Sequence, residues 1–305
     1  MPENNKRQAE IPEGAMVNPA MPGTAPGLIC PVGDDKVIYA VPGVPYEMEE
    51  MFTVGILPDL QRRAGVTAVI KSRTLKTWGR SESGLAETLA DEIDRLDEEG
   101  SATIAFLASG WNGLKVRMTA KAASEAAADA VLAEEEARVR AIVGDDIVFG
   151  VDDESMESVV LDLCRRHDLS LATAESLTGG LIGARITEIP GCSDVFRGGV
   201  VSYASGVKFD LLGVPEGPVV SEEAVTAMAL GACRVLGADC SVAVTGVAGP
   251  GPRDGVEAGT VWMATSVRGD VEAFRVQWPF DRERVRQFTT ITVLAALRRR
   301  LVGLG

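Results

Sequence analysis

Apolar and polar positions along the second half of this chain follow two different periods, and the switches between them mark out its elements. From Glu154 the residues Met156, Val159, Val160, Leu163 and Cys164 fall on one stripe at helical spacing, and the polar Ser170 then opens a strand at Leu171. Beyond it the pattern predicts strands at Leu171–Ala174, Gly198–Tyr203, Cys240–Thr245, Gly259–Ser266 and Val271–Trp278. Helices are predicted at Gly179–Ile189, Val207–Leu212, Ser221–Leu236 and Asp281–Leu301. Such alternation argues for an α/β sheet covered by helices.

The segment from residue 66 to 148 reads differently. It predicts a strand at Val66–Thr74, a helix at Ser83–Leu96, strands at Thr103–Leu107 and Gly113–Thr119, and a long Ala/Glu helix from Ser124 to about Val143, with Ser124 as cap and Gly144 as stop. This is a small α+β module. The first 58 residues are rich in Pro and Gly and show one clear strand, Lys36–Val41, ending in the turn Pro42-Gly43-Val44-Pro45. One strand cannot close a core, so this segment packs on the rest of the chain or is the tail of a domain whose beginning is absent, and the second is expected. The division into 1–58, 59–150 and 151–305 suits a chain of 305 residues and 46% hydrophobic content, which has room for two or three cored domains of roughly 100–200 residues.

Composition narrows the chemistry. No stretch approaches the ~18–20 uninterrupted apolar residues of a membrane span, and the first thirty residues lack the basic start and apolar core of a secretion signal, so a cytoplasmic protein with no membrane partner is expected. The five cysteines are scattered without a CxxC spacing, which suggests neither a disulfide framework nor a zinc site. A net charge of −14 repels phosphate backbones, so nucleic acid is not the expected partner. The single histidine, His167, restricts most: it leaves no two-histidine metal site, and a Ser-His triad would have to use that residue. Its place after Arg165 and Arg166 at a helix end instead suits a cation facing the negative helix terminus.

Four segments have the residue types for chemistry. Thr173-Ala174-Glu175-Ser176-Leu177-Thr178-Gly179-Gly180 runs from a strand into a helix whose start, with unpaired N–H groups, would suit a phosphate or an oxyanion; Ser176 as a simple helix cap is the alternative. In Ser202-Tyr203-Ala204-Ser205-Gly206-Val207-Lys208 a strand-end tyrosine and a helix lysine can converge on one pocket. The lysine serves as a base only if burial or a neighbouring cation lowers its pKa; otherwise the two are a solvated charge and a half-buried ring. Thr245-Gly246-Val247-Ala248-Gly249-Pro250 carries a strand into a glycine-rich loop at the usual ligand edge of an α/β sheet, without the GK[ST] of a P-loop or a GxGxxG; a tight turn is the plainer reading. Arg282, Arg284 and Arg286 open the last helix against its dipole, held there by an anion or by a surface network with Asp281 and Glu283.

In this order the four segments resemble the C-terminal domain of the CinA family, competence-damage-inducible proteins in which that domain is a nicotinamide mononucleotide amidohydrolase. The family's AESCTGG stands here as Ala174–Gly180 with Leu177 for cysteine, and its TGIAGP as Thr245–Pro250 with Val247. The match spans about residues 153–305. It implies a three-layer α/β domain in which Ser176 is the nucleophile, Lys208 its base and Tyr203 a proton relay or oxyanion partner. Thr178, Gly179, Gly180, Thr245, Gly246 and Gly249 would wall the substrate and Arg282 would hold its phosphate, with no cofactor or metal. Two departures, Ser205 for the family's asparagine and Phe280 for the glycine before Asp281, bear on substrate positioning.

Residues 4–52 resemble the end of the family's molybdopterin-binding-like N-terminal α/β domain. The opening strands and acidic metal-binding residues of that domain are not in this sequence. Its ADP-ribose pyrophosphatase activity, which would need a divalent metal, is therefore expected to be lost. The module at 66–148 resembles the family's KH-type linker. A homodimer acting on a small nucleotide is the assembly the resemblance implies, and the rival of a different kind is a non-catalytic module whose glycine loops only hold a nucleotide.

Overall fold

The computed structural model describes residues 10–33, 36–65, 68–108 and 110–304. The chain divides into two compact units: the described residues up to Val69 with Ala122–Ala127, and Ile70–Lys121 with the described residues from Ala128 onward.

In the first unit β1 (Met16–Val17), β2 (Leu28–Val32) and β3 (Lys36–Ala40) form an antiparallel sheet in that order. A helical run follows, α1 (Pro45–Met51) and α2 (Leu57–Ala64) joined by a wider π-type turn at Phe52–Ile56. The expectation of a single strand here is corrected accordingly. Pro45 sits in the first turn of α1, where a missing N–H costs nothing, and Pro58 follows directly on the π-type turn, at the point where the helical hydrogen-bond pattern changes. Asn18 joins sheet to helix: buried, it donates to the Met51 carbonyl at 3.0 Å and accepts from the Ala20 amide at 3.0 Å. The expected strand at Val66 begins outside the described residues and is seen as β4 (Val69–Thr77).

The middle segment forms a four-stranded sheet in the order β5 (Ala102–Ala108), β6 (Leu114–Ala122), β4, β7 (Val148–Val151). The helix expected over Ser83–Leu96 is two, α3 (Glu82–Thr88) and α4 (Ala90–Glu99). The chain bends at Leu89, so that Leu85, Leu89 and Leu96 all reach one core with Leu75, Val116 and Met118. The long helix α5 (Glu125–Val143) has Ser124 accepting from the Ala127 amide at 3.2 Å. Arg95 joins α4 to α5 through Glu92 and Glu135, each at 2.6 Å.

The last segment is a mixed three-layer α/β arrangement. After α6 (Met156–Arg166), β8 (Leu171–Glu175) and β10 (Cys240–Gly246) run parallel at its centre, with β9 (Phe196–Val201) parallel on one side and, on the other, β11 (Thr260–Val267) antiparallel to β10 and β12 (Asp270–Gln277) antiparallel to β11 at the edge. Alternate residues face opposite layers. Val242, Val244 and Met263 pack with α6, α7 (Leu181–Thr187) and α10 (Arg282–Val302). Ala172, Ala174, Ala243 and Ala264 meet Ala229 and Ala232 of α9 (Glu222–Leu236). Small residues on both sides let α9 sit close enough for the Ser241 hydroxyl to donate to the Ala229 carbonyl at 2.8 Å. No helix among the described residues is long and apolar enough to cross a membrane.

The α9 packing admits no extra atom at Gly231, where an added Cβ would lie 2.2 Å from the Leu212 carbonyl oxygen. Gly231→Ala is expected to lower the unfolding free energy by about 2 kcal/mol or more in a denaturant titration. Gly206→Ala, whose Cβ meets nothing nearer than 3.8 Å, should change it by less than about 0.5 kcal/mol.

Candidate active site

The strand β8 ends at Glu175, and everything at the candidate site is placed from there. The Glu175 side chain is 1% exposed and accepts from the amides of Gly180 at 2.9 Å, Ile182 at 3.1 Å and Gly183 at 2.8 Å. It thus occupies the positive start of α7 with the protein's own carboxylate. Gly179 and Gly180 take φ of +63° and +95°, conformations that glycine adopts without a Cβ penalty, and they curl the chain back onto that carboxylate. This corrects the expectation that the helix start would hold a substrate anion. It also removes the reading of Ser176 as a cap, because its hydroxyl makes no hydrogen bond among the described residues. The Ser176 amide is fixed by the Val244 carbonyl at 3.1 Å.

Ser176, Leu177, Tyr203, Gly246–Arg253 and Arg282 line a cavity of about 300 Å³. Of the residues expected at the site, Ser176, Tyr203, Gly246, Gly249 and Arg282 are therefore brought together. Thr178, Gly179, Gly180 and Thr245 are not. Thr178 is fully buried with its carbonyl accepting from Arg286 at 2.7 Å, and the Thr245 hydroxyl is turned to the Val219 carbonyl at 2.7 Å. Gly179 is exposed and Gly180 half-buried, outside the cavity lining.

Lys208 lies behind the cavity on α8 (Ser205–Asp210), 2% exposed. Its Nζ donates to the Ser202 carbonyl at 2.6 Å, and the Ser202 amide donates to the Glu175 carbonyl at 2.8 Å, so one backbone link separates the lysine from the strand end that carries Ser176. Burial first, and the nearby Arg253 charge second, push its ammonium pKa down to about 8. Tyr203 lies just past β9 and is exposed; its hydroxyl accepts from Arg282 at 2.9 Å, while the same guanidinium donates to the Gly249 carbonyl at 3.1 Å. Arg282 is thus a brace between the tyrosine and the glycine loop.

His167 is the C-cap of α6 and precedes β8, whereas Ser176 follows it. At ~3.3 Å per residue the strand holds the two roughly 16 Å apart, which takes the histidine out of the site. Of the two departures, Phe280 packs against Trp278 and Phe288 with ring centroids at 5.9 and 4.9 Å, away from the cavity lining. Two residues were not singled out from the sequence, Arg253 and Trp111. Arg253 follows the glycine-proline loop and lines the cavity. Trp111, together with Arg286, borders an adjoining cavity of about 500 Å³ that shares Arg282. Only Arg253 carried a signal, as a lone cation directly after the run Gly249-Pro250-Gly251-Pro252.

Comparison with known proteins matches the middle and last segments to two family models and the whole chain to longer relatives. A family model described as the CinA C-terminal domain matches residues 153–301, and one described as the damage-inducible protein CinA KH domain matches 72–150. A CinA-like protein from Frankia casuarinae is 46% identical over all of this chain and 71% of its own length, and one from Parasynechococcus marenigrum is 42% identical over 98% of this chain and 72% of its own. A crystal structure of a CinA superfamily protein from Klebsiella pneumoniae is 32% identical, with a TM-score of 0.47, over 48% of this chain and 96% of its own.

Glu175→Gln places an NH₂ group among three amide donors. It is expected to lower stability by about 2 kcal/mol in denaturant unfolding and to increase amide exchange at Gly180, Ile182 and Gly183.

Proposed function

We propose that this chain, which belongs to the CinA family, removes the amide nitrogen of nicotinamide mononucleotide by serine-based acyl transfer. The observation that carries the reading is an unbonded serine hydroxyl at the cavity together with a buried lysine, pKa lowered to about 8, that one backbone link through Ser202 ties to the strand end carrying that serine. The lone histidine stands at the opposite end of the strand. With no histidine in reach, a neutral lysine is the natural base.

In this reading Ser176 gives its proton to the Lys208 amine as its Oγ attacks the carboxamide carbon. The amine keeps one N–H on the Ser202 carbonyl while its lone pair takes the proton. The carbonyl oxygen becomes an oxyanion. Leu177 lines the cavity directly after the nucleophile, and its amide has no partner among the described residues, so it is the first donor available. Tyr203, polarised by Arg282, supplies a second hydroxyl at the same wall. Collapse breaks the C–N bond and the proton held by Lys208 leaves with ammonia. Water then attacks the acyl-enzyme, yielding nicotinic acid mononucleotide and free Ser176. The cavity lining has no carboxylate, which suits an anionic substrate.

Ammonia release from nicotinamide mononucleotide is expected from the purified protein, unchanged by a chelator and lost by at least about 10³-fold in Ser176→Ala. Binding of the nucleotide by the well-folded protein without ammonia release would move the reading to a non-catalytic module, and unchanged turnover in Ser176→Ala would remove that serine as the nucleophile. Because the base acts in its neutral form, the rate should rise with pH through a midpoint near 8, the value set for Lys208, and level off above it. A pH profile of kcat that is flat from 6 to about 9 would exclude the lysine as base.

A further inference from the structure

The cavity beside Ser176 holds two guanidiniums with different surroundings. Arg282 is committed, with one N–H on Tyr203 and another on the Gly249 carbonyl. Arg253 is not. Its side chain is 77% exposed, and its nearest carboxylate is its neighbour Asp254 at 3.6 Å, itself 82% exposed. A solvated pair of this kind contributes little and is readily exchanged.

The backbone that carries Arg253 is nevertheless well defined. Its amide donates to the Val256 carbonyl at 3.0 Å and its carbonyl accepts from the Val256 amide at 2.9 Å. Between them Asp254 and Gly255 take φ of +52° and +78°, the pair of left-handed residues that makes a tight type I′ turn. A rigid two-residue turn therefore presents one uncommitted guanidinium at the rim of the cavity. The setting is an acidic chain of net charge −14 whose cavity lining has no carboxylate.

We infer that Arg253 is the residue that reads the phosphate of the substrate, and that Arg282 instead braces the tyrosine and the glycine loop. This rests on the reading of Ser176 as the reacting group, since it assigns the two ends of one bound molecule: carboxamide at Ser176, phosphate at the turn. A guanidinium free to offer two parallel N–H groups fits a phosphate bidentately, which the braced Arg282 is less free to do. Arg253 then decides between a nucleotide and its nucleoside without taking part in bond breaking.

The test compares nicotinamide mononucleotide with nicotinamide riboside, which lacks only the phosphate. Steady-state kinetics are measured on the full chain and on Arg253→Gln and Arg253→Lys. Binding of both compounds is measured by calorimetry on Ser176→Ala with and without Arg253→Gln. Read at a pH well above 8, where Lys208 is neutral with or without the Arg253 charge, the expected result is a KM and a Kd for the mononucleotide raised by about 10- to 100-fold in the glutamine variant, with kcat and all riboside values within about threefold and partial recovery in the lysine variant. If the binding preference for the mononucleotide collapses in a protein that releases no ammonia, the assignment of Arg253 stands and the proposed reaction fails. If ammonia is released but Arg253→Gln leaves the preference unchanged, or weakens both compounds alike, the assignment is overturned and the reaction stands. Absence of binding by either compound overturns both.

Discussion

The site depends on one buried carboxylate. Glu175 ends the strand β8 and turns its side chain onto the first amides of α7, where three N–H groups and the positive end of the helix offset the cost of burying its charge. That contact fixes the path of the chain between strand and helix. The left-handed Gly179 and Gly180 follow from it, because the backbone must double back to bring its amides to the residue that began the turn. Ser176 and Leu177 are left at the cavity by this turn, with Thr178 buried behind them. Neighbouring strands then secure the turn, Val244 holding the Ser176 amide and Ser202 donating to the Glu175 carbonyl. A serine held by backbone contacts keeps its hydroxyl free.

The same backbone link places the lysine. Ser202 bonds Glu175 with its amide and Lys208 with its carbonyl, so Ser176 and Lys208 are both positioned from one strand end. Burying Lys208 is unfavourable: a change from 10.5 to about 8 corresponds to roughly 3 kcal/mol against the charged form. Among the described residues no carboxylate bonds it in compensation. A lysine buried without an ion pair loses its proton more readily than a solvated one, which is what the proposed base requires.

Much of the C-terminal sheet was legible in the sequence. Strands β8, β10, β11 and β12 begin and end within one or two residues of where the apolar pattern puts them, because the buried central strands read as apolar runs and the edge strand β12 alternates exposed and half-buried residues. The convergence of Ser176, Tyr203, Gly249 and Arg282 was legible too. The failures have physical reasons. Nothing in the run Glu175–Gly183 tells that the glutamate, and not a ligand, fills the helix start, since both readings use the same glycines. Pro45 read as part of a turn although it opens α1, because position within a helix decides what a proline does. Leu89 kept an unbroken helical pattern through a bend that serves the core.

The helix α10 shows how the site is tied to what surrounds it. Its first turn carries Arg282 at the cavity and Arg286 on the Thr178 carbonyl. One turn further, Phe288 packs against Trp78 of the middle segment at 5.4 Å and Trp278 at 5.7 Å. Near its end the buried Arg298 reaches the carbonyls of Asp145 and Val148, both at 2.8 Å, before and at the start of β7. Three otherwise unrelated contacts thus lie along one helix of 21 residues, rigid over about 30 Å. Displacing the middle segment would pull on the same element that positions the arginine brace of the active site. The aromatic cluster that accepts Phe280 in place of glycine is therefore part of how the cavity keeps its shape, although it contributes no atom to the lining.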